Sequence, residues 1–323
     1  MKVKKNLTIV LLVLLMTIIC TLANTYAATY PEKTIQIIVA KPPGGGADLS
    51  TRMIAAALEK QLGSSVVVLN REGGQCVIGT NEVAKAKPDG YTLSCIAYNE
   101  IAYMIVNGEN VEFTQDSFDY IFSINIRGHV LATKKDSQFD SLDKLLEYAK
   151  DHPKEITIGI PGEGCGDIPW MLMDAAGVEL TIVNCQTGAP LYANLLGGHI
   201  EVGTIGAQFY DRLIDENCHV LAQTVEREYG VTNVPTFSEL GIDGVWWNTK
   251  QVLMAPAGTP QEVIDILVDA MDKSFEDGSM VEMLENAGET PMYQKGEELE
   301  ISMAKYFNEK IPQLMEIKER KNK

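Results

Sequence analysis

Hydrophobic positions along this chain switch between two periods. Ile35–Val39 is a short β-branched run. After a polar, glycine-rich stretch, Leu49, Met53, Ile54, Ala57, Leu58 and Leu62 recur at helical spacing. The first pattern predicts a buried strand and the second an amphipathic helix over 48–62, with Gly63 ending it at the C′ position. Val66–Asn70 and Tyr91–Ala97 repeat the strand pattern, with a shorter helix near 77–86 between them. A second set opens at Ser141, the expected N-cap of a helix through Lys150. Strands are predicted at Ile156–Ile160, Leu180–Asn184, Ile200–Ile205 and Val220–Thr224, and helices at Ile168–Ala176 and Pro190–Leu196. Pro169 suits the first turn of its helix. The last third turns helical. Thr259-Pro260-Gln261-Glu262 reads as a capping box with Pro at N1, ahead of a stripe of Ile264, Leu267, Val268, Met271 and Phe275. A further helix runs from Glu297 to Ile317, ended or kinked by Pro312. Strand–helix alternation of this kind predicts an α/β protein, with mostly parallel sheets flanked by helices.

Residues 1–27 stand apart from these patterns. Lys2, Lys4 and Lys5 precede the apolar Leu7–Ile19, and Thr25-Tyr26-Ala27 fits a cleavage site before Ala28. An export signal is the preferred reading. Lipid attachment at Cys20 is disfavoured by the bulky Ile18 and Ile19, and an uncleaved anchor is the alternative. The remaining 296 residues suit two lobes with a core each. Their charge is −20, from 24 Lys+Arg against 44 Asp+Glu. That disfavours nucleic acid and anionic membranes as partners. Five cysteines remain, Cys76, Cys95, Cys165, Cys185 and Cys218, in no disulfide or zinc spacing.

Chemistry concentrates at glycine loops. Lys41-Pro42-Pro43-Gly44-Gly45-Gly46-Ala47-Asp48 joins the first strand to its helix, and Gly162-Glu163-Gly164-Cys165-Gly166-Asp167 does the same in the second set. The first N–H groups of a helix lack intrahelical partners and carry partial positive charge, and glycines let a ligand reach them. Such a cradle suits a carboxylate or another oxygen-rich group; a tight turn with no ligand is the alternative. Pro43, Gly44, Gly45 and Gly46 are the candidate backbone contacts. Asp48 either steadies the helix start or touches the ligand. Tyr98 and Asn99 follow the third strand, at the end where α/β sheets bind ligands, with helix capping as the alternative. Trp246 and Trp247 line a cleft mouth or simply pack. The four histidines show no metal-ligand spacing, and no Ser–His–Asp or Cys–His set is present. The glycine loop also lacks the Lys-Ser/Thr of a P-loop. No cofactor or metal is expected.

Further motifs follow in order. They are Tyr30-Pro31, Asn70-Arg71 with Gly73-Gly74, Ile78-Gly79, Ala84-Lys85 and Lys87-Pro88-Asp89-Gly90-Tyr91-Thr92-Leu93. Later come Thr187-Gly188-Ala189-Pro190, Leu195-Leu196-Gly197-Gly198, Val234-Pro235-Thr236, Glu239-Leu240-Gly241 and Ala255-Pro256-Ala257-Gly258-Thr259-Pro260. Together with the first glycine loop they resemble the extracytoplasmic solute receptors of tripartite tricarboxylate transporters, the Bug family, through nearly all of the exported chain. The resemblance implies a two-lobed, Venus-flytrap periplasmic-binding-protein fold. It divides the chain into lobe 1 (28–124 and 226–323) and lobe 2 (125–225), with hinges near 124–127 and 224–228. It also implies a monomer that is not an enzyme. Such a receptor closes on a small organic acid and hands it to the membrane subunits of the transporter. The protein would act in the periplasm or at the outer face of the cell membrane.

In the second lobe the chain departs from that family's pattern. Hydroxyls and a histidine common after the second loop are replaced by Cys165, Gly166 and Ile168, and Asn184-Cys185-Gln186-Thr187 stands where Pro-Tyr-Lys-Gly is usual. Gly164, Cys165 and Gly166 become the matching contacts. Gln186 and Thr187 are ligand candidates because an amide and a hydroxyl both donate and accept. Cys165 and Cys185 form a disulfide, a soft rim, or two small buried side chains. Glu163 and Asp167 add negative charge, so the expected ligand is neutral or amine-bearing at its far end, or a monocarboxylate. A receptor for a membrane signalling partner is the alternative function. An extracytoplasmic enzyme using Asp48 or Cys165 is the rival from another class.

Overall fold

A computed structural model describes residues 30–162, 167–186 and 188–321. From the N-terminus the elements are β1 (Ile35–Val39), α1 (Gly46–Leu62), β2 (Val66–Asn70), α2 (Val77–Ala84), β3 (Thr92–Ala97), α3 (Tyr98–Asn107) and β4 (Phe118–Ile126). Next come β5 (His129–Thr133), α4 (Leu142–Asp151), β6 (Thr157–Ile160), α5 (Asp167–Ala176), β7 (Thr181–Asn184), α6 (Gly188–Leu196), β8 (Val202–Gly206), α7 (Tyr210–Asp215) and β9 (His219–Gln223). The chain ends with β10 (Gln251–Pro256), α8 (Gln261–Glu276), α9 (Ser279–Asn286), β11 (Thr290–Lys295) and α10 (Gly296–Lys321). Among the described residues no helix is long and apolar enough to cross a membrane.

The strands form two sheets, ordered β11-β4-β10-β3-β1-β2 and β7-β6-β8-β5-β9. Both faces of the first are covered, which explains the successive apolar Ile37, Ile38 and Val39 of β1 after the exposed Gln36. Ile35 and Ile37 join a core with Ile54 and Leu58 of α1, Leu267 and Met271 of α8 and Leu284 of α9. Ile38 joins the core on the other face with Ile101 and Met104 of α3 and Leu299, Met303 and Phe307 of α10. A strand buried on both sides needs apolar residues at successive positions. The second sheet is built likewise, with α4 and α5 on one face and α6 on the other.

The sheets are mixed, not mostly parallel. β1 runs parallel to β2 and β3, and β6 runs parallel to β7 and β8. The other five pairings are antiparallel. Among β4, β5, β10 and β11, the chain crosses to the second sheet from β4 to β5 and returns at β10; β5, β10 and β11 run against the βα units of their sheets, and β4 runs with them. The sequence patterns assigned no element to these four, because Asp119, Ser123, Asn125, His129, Gln251 and Gln294 interrupt their apolar positions.

The helix ends hold mixed lessons. Gly63 sits at φ 64° and its N–H bonds Glu59 O at 3.0 Å. Ser141 caps α4 through the Lys144 N–H. The capping box at Thr259 does not form. Pro260 is itself the N-cap, at ψ 134°, and α8 starts at Gln261. The Thr259 hydroxyl donates to Pro256 O at 2.8 Å and its N–H to Asp119 at 2.9 Å, so it is committed to the preceding strand. Pro312 does not end its helix; α10 continues to Lys321.

Two segments cross between the sheets, and they pair. The Arg127 N–H donates to Thr249 O at 2.8 Å, and Thr249 N–H returns a bond to Arg127 O at 2.9 Å. Residues 226–247 were assigned with the first lobe, yet Phe237, Val245 and Trp247 lie in the core of the second sheet, and Gln223 N–H bonds Pro235 O. This stretch has no long regular element, so hydrophobic periodicity carried no sign of its destination. A further bridge is α10. Its buried Lys310 donates to Met171 Sδ of α5 at 3.0 Å and to Trp246 O at 3.1 Å, and Arg320 pairs with Asp174.

Candidate functional site

A cleft of about 650 Å³ lies where the two sheets face each other. Its first wall is the glycine loop. Gly45, in extended conformation, precedes α1, and the first intrahelical bond is Leu49 N–H to Gly45 O at 2.9 Å. The N–H groups of Gly46, Ala47 and Asp48 therefore precede the helical ladder. Lys41, Pro42, Gly45, Gly46 and Ala47 face the cleft.

Asp48 fixes this loop from behind. It is 2% exposed and lies in the first turn, two residues past the helix start. Its carboxylate accepts from Gly44 N–H, from Arg52 Nε and Nη2, and from Asn70 Nδ2, each at 2.9 Å. Burial alone would raise its pKa; the Arg52, Gly44 and Asn70 bonds outweigh it and hold the carboxyl down at about 2. Gly44 holds φ 83°, a left-handed conformation suited to glycine, as its N–H reaches Asp48.

Below the loop lies Arg127. A Cβ on Gly46 would stand 3.7 Å from the Arg127 Nη2, so the guanidinium lies beside the start of α1 with space between them. Arg127 is already engaged. It pairs with Glu289, which also accepts from Asn125 Nδ2, and it donates to Ser50 Oγ at 2.7 Å. Lys41 is engaged as well, 2.7 Å from Glu100. Burial opposes the Lys41 charge, but Glu100 and Cys76 offset this and leave its pKa raised. The Cys76 thiol is pushed up to about 12 by burial and by Glu100. Each cation in the cleft thus has an acid beside it.

The floor comes from the crossing strands, and strand alternation sorts their side chains. Arg127, His129, Trp247, Thr249 and Gln251 face the cleft. Ile126, Asn248 and Lys250 face a second cavity, of about 450 Å³, on the other side. Trp247 packs edge-on against His129, with ring centroids 4.4 Å apart. Burial, helped by Arg127, lowers the His129 pKa to about 4, so its ring is neutral at pH 7. Thr249 Oγ1 donates to Asn99 Oδ1. Gln251 is fully buried, and neither its Oε1 nor its Nε2 has a hydrogen-bond partner.

The second wall comes from the other sheet: Pro161, Gly162, Asn184 and Gln186. Gln186 sits at φ 68°, and its N–H donates to Asn184 Oδ1 at 2.9 Å. Cys185 points away from the wall, a buried free thiol within reach of Asn194 Nδ2 at 3.4 Å.

Of the residues singled out from sequence, the structure brings Gly45, Gly46, Asn99 and Gln186 together in the cleft. Pro43 and Gly44 lie in the same loop but do not line it. Asp48 supports the loop from inside the protein. Tyr98 faces the other cavity, with its hydroxyl on Asn248 and its ring edge-on to Tyr306 at 4.1 Å. Gly164, Cys165, Gly166 and Thr187 lie outside the described residues, as do Glu163 and the 1–27 leader with Cys20. Sequence reasoning did not single out Gln75, Cys76, Glu100, Arg127, His129, Asn184, Thr249 or Gln251. The available signal was the alternation of polar residues at Arg127/His129 and Thr249/Gln251, which marks one face of each crossing strand.

Comparison with known proteins agrees with this architecture. The model of the tripartite tricarboxylate transporter family receptor, TctC, matches residues 50–319. Protein BugT of Bordetella pertussis is 29% identical over 281 residues, covering 84% of this chain and 85% of that protein. The crystal structure of a TctC solute-binding protein from Polaromonas, without ligand, is 28% identical with a TM-score of 0.75, covering 87% of this chain and 97% of that one. MatC from Rhodopseudomonas palustris, with bound malate, shares the fold at 21% identity and a TM-score of 0.71, over 89% of this chain and 99% of that one. The chain belongs to the tripartite tricarboxylate transporter receptor family. It is a two-lobed solute-binding protein of the periplasmic type, and such receptors are not enzymes.

Proposed function

We propose that this family member captures a small organic acid, or a related carboxylate bearing an amide, in the cleft between its lobes and delivers it to the membrane subunits of a tripartite transporter. The observation that carries this reading is the first turn of α1. Its amides from Gly46 to Asp48 precede the helical ladder at the wall of the cleft, with the Arg127 guanidinium beneath. A carboxylate there gains N–H donors and the positive end of a 17-residue helix. The far end of the ligand meets Asn184, Gln186 and the loop after Gly162, with Gly164, Cys165, Gly166 and Thr187 as further contacts. Among the described residues no unpaired cation is offered to it, since Lys41 and Arg127 are held by Glu100 and Glu289. A neutral or amine-bearing far end therefore suits this cleft better than a second carboxylate.

Closure would act at the two crossings. We place the first at Arg127–Gly128 and the second at Trp247–Lys250, where backbone bonds between the segments form a paired hinge. Ligand touching both walls stabilises the closed state over the open one, and the membrane partner reads the difference. The exported form begins at Ala28 and acts as a monomer.

Thermal unfolding of the refolded protein in the presence of mono-, di- and tricarboxylates, amino acids and amides tests the reading. A ligand at about 1,000 times its Kd adds about 4 kcal/mol of stability. A panel in which no carboxylate-bearing compound shifts the transition would count against it.

A further inference from the structure

The floor of the cleft holds a second recognition element, distinct from the glycine loop. Gln251 is fully buried, lines the cleft, and leaves both ends of its side-chain amide without a partner, while its main-chain N–H is satisfied by Asn125 Oδ1 at 2.9 Å. The indole Nε1 of Trp247, which lines the same cleft, is also buried without an acceptor. A buried amide left unsatisfied is destabilising, because it has lost its bonds to water and gained none in return. Native proteins retain such groups where something else completes them. Here the missing partner must supply a donor for Oε1 and an acceptor for Nε2.

Three chemistries can be weighed against that requirement. A carboxylate offers acceptors only, so it would satisfy Nε2 and Trp247 Nε1 but set like partial charge against Oε1. It would also enter a floor whose nearest cation, Arg127, is already neutralised by Glu289. An ammonium offers donors only and leaves Nε2 and the indole unmet. A primary carboxamide has an N–H pair for Oε1 and a carbonyl for Nε2 or the indole, which completes the set without bringing a charge out of water. We infer that Gln251 forms a carboxamide subsite, and that the preferred ligand is a short acid carrying a primary amide at its other end. This rests on the glycine loop being the carboxylate site. The spacing agrees: β10 lies two strands from β1, so the two recognition elements are about 10 Å apart along the sheet. A ligand that reaches both elements is therefore short, and four to six carbons is the range to test.

The test is titration calorimetry on the refolded exported protein with matched ligands: succinamate, succinate and butyrate, and the five- and six-carbon equivalents. In the wild type, one amide acid should bind at least tenfold tighter than the dicarboxylate and the monocarboxylate of its length. Gln251→Met, close in volume and without polar ends, should abolish that preference and, by removing an unsatisfied amide, raise the unfolding temperature of the ligand-free protein. Gln251→Glu should move the preference toward the ω-amino acid of the same length. A dicarboxylate preferred over its amide, or a preference unchanged in Gln251→Met, would overturn the subsite; the latter result would assign Gln251 to a structural water. If carboxylates bind without amide preference, the subsite alone is wrong. If no acid in the series binds the folded protein, the carboxylate reading of the glycine loop fails with it.

Discussion

Asp48 collects bonds from Gly44, Arg52 and Asn70, and so ties the glycine loop, the helix and the end of β2 to one carboxylate. Asp48→Ala should therefore cost about 2–3 kcal/mol in urea unfolding, since bonds to a charged group are worth more than neutral ones. It should weaken ligand binding as well, by loosening the loop. This stabilisation is complete above the ordinary carboxyl value and fades as pH falls toward 2, because the folded form holds the proton off more strongly than the unfolded chain. His129 acts in a higher window. Its folded pKa is lowered to about 4, so below the usual 6.5 the unfolded chain takes up a proton that the folded one refuses. Stability should fall between pH 6.5 and 4 by up to about 3 kcal/mol, and His129→Gln should flatten that part of the pH profile. The Asp48–Arg52 pair stood open in the sequence as an i, i+4 spacing. Its link to Asn70 did not, because a contact across 22 residues leaves no periodic trace.

Elements were legible where local chemistry agreed with tertiary demand. β1, α1 and Gly63 were readable because the apolar period, the glycine loop and the left-handed terminator all coincide. β4 and β10 were not, because polar side chains fill buried sheet positions there: Asn125, whose partners Glu289 and the Gln251 N–H lie in other segments, and Gln251 itself. The Thr259 box failed for a related reason: Asp119, on a neighbouring strand, took the N–H that a local motif would have left alone. α10 was longer than expected because it spans both lobes. Its Lys310 is 1% exposed and bonds Met171, Trp246 and Gln313, with the ammonium 4.0 Å above the Trp246 ring. Burial depresses the Lys310 pKa below the ordinary 10.5, against the pull of Asp167 and Glu309. The unfolded chain therefore binds the proton more tightly, and stability should rise as pH climbs toward 10.5. Subtracting the profile of Lys310→Met from that of the wild type isolates this contribution. A difference that is flat with pH would remove Lys310 from the account.

At the scale of the molecule, the site exists only because distant segments meet. Arg127 and Glu289 are 162 residues apart in the chain, and the cleft walls come from separate sheets. The first glycine loop could be named from sequence because the role proposed for it is local: backbone amides at a helix start. The floor could not, because it depends on which face of each crossing strand turns inward. The second lobe's extent was misjudged for the same reason, with Trp247 reached through loops that carry no period. Electrostatics also reads differently at this scale. The exported chain carries −20 overall, yet the loop can still hold an anion, because aligned amides act over the first turn while surface charge is screened within about 8–10 Å.

The most direct test of the account is to close the glycine loop without unfolding it. Gly46 lies at the first position of α1, where alanine suits a helix better than glycine, and its new Cβ would meet Arg127 Nη2 at an ordinary 3.7 Å. The methyl would, however, occupy the space between the first-turn amides and the guanidinium, where the carboxylate is placed. Titration calorimetry of wild type and Gly46→Ala with the acid that binds the wild type best decides the matter. The account predicts one ligand per wild-type chain, at least a tenfold loss of affinity in Gly46→Ala, and an unfolding temperature equal to or above that of the wild type. Undiminished binding by Gly46→Ala would contradict it.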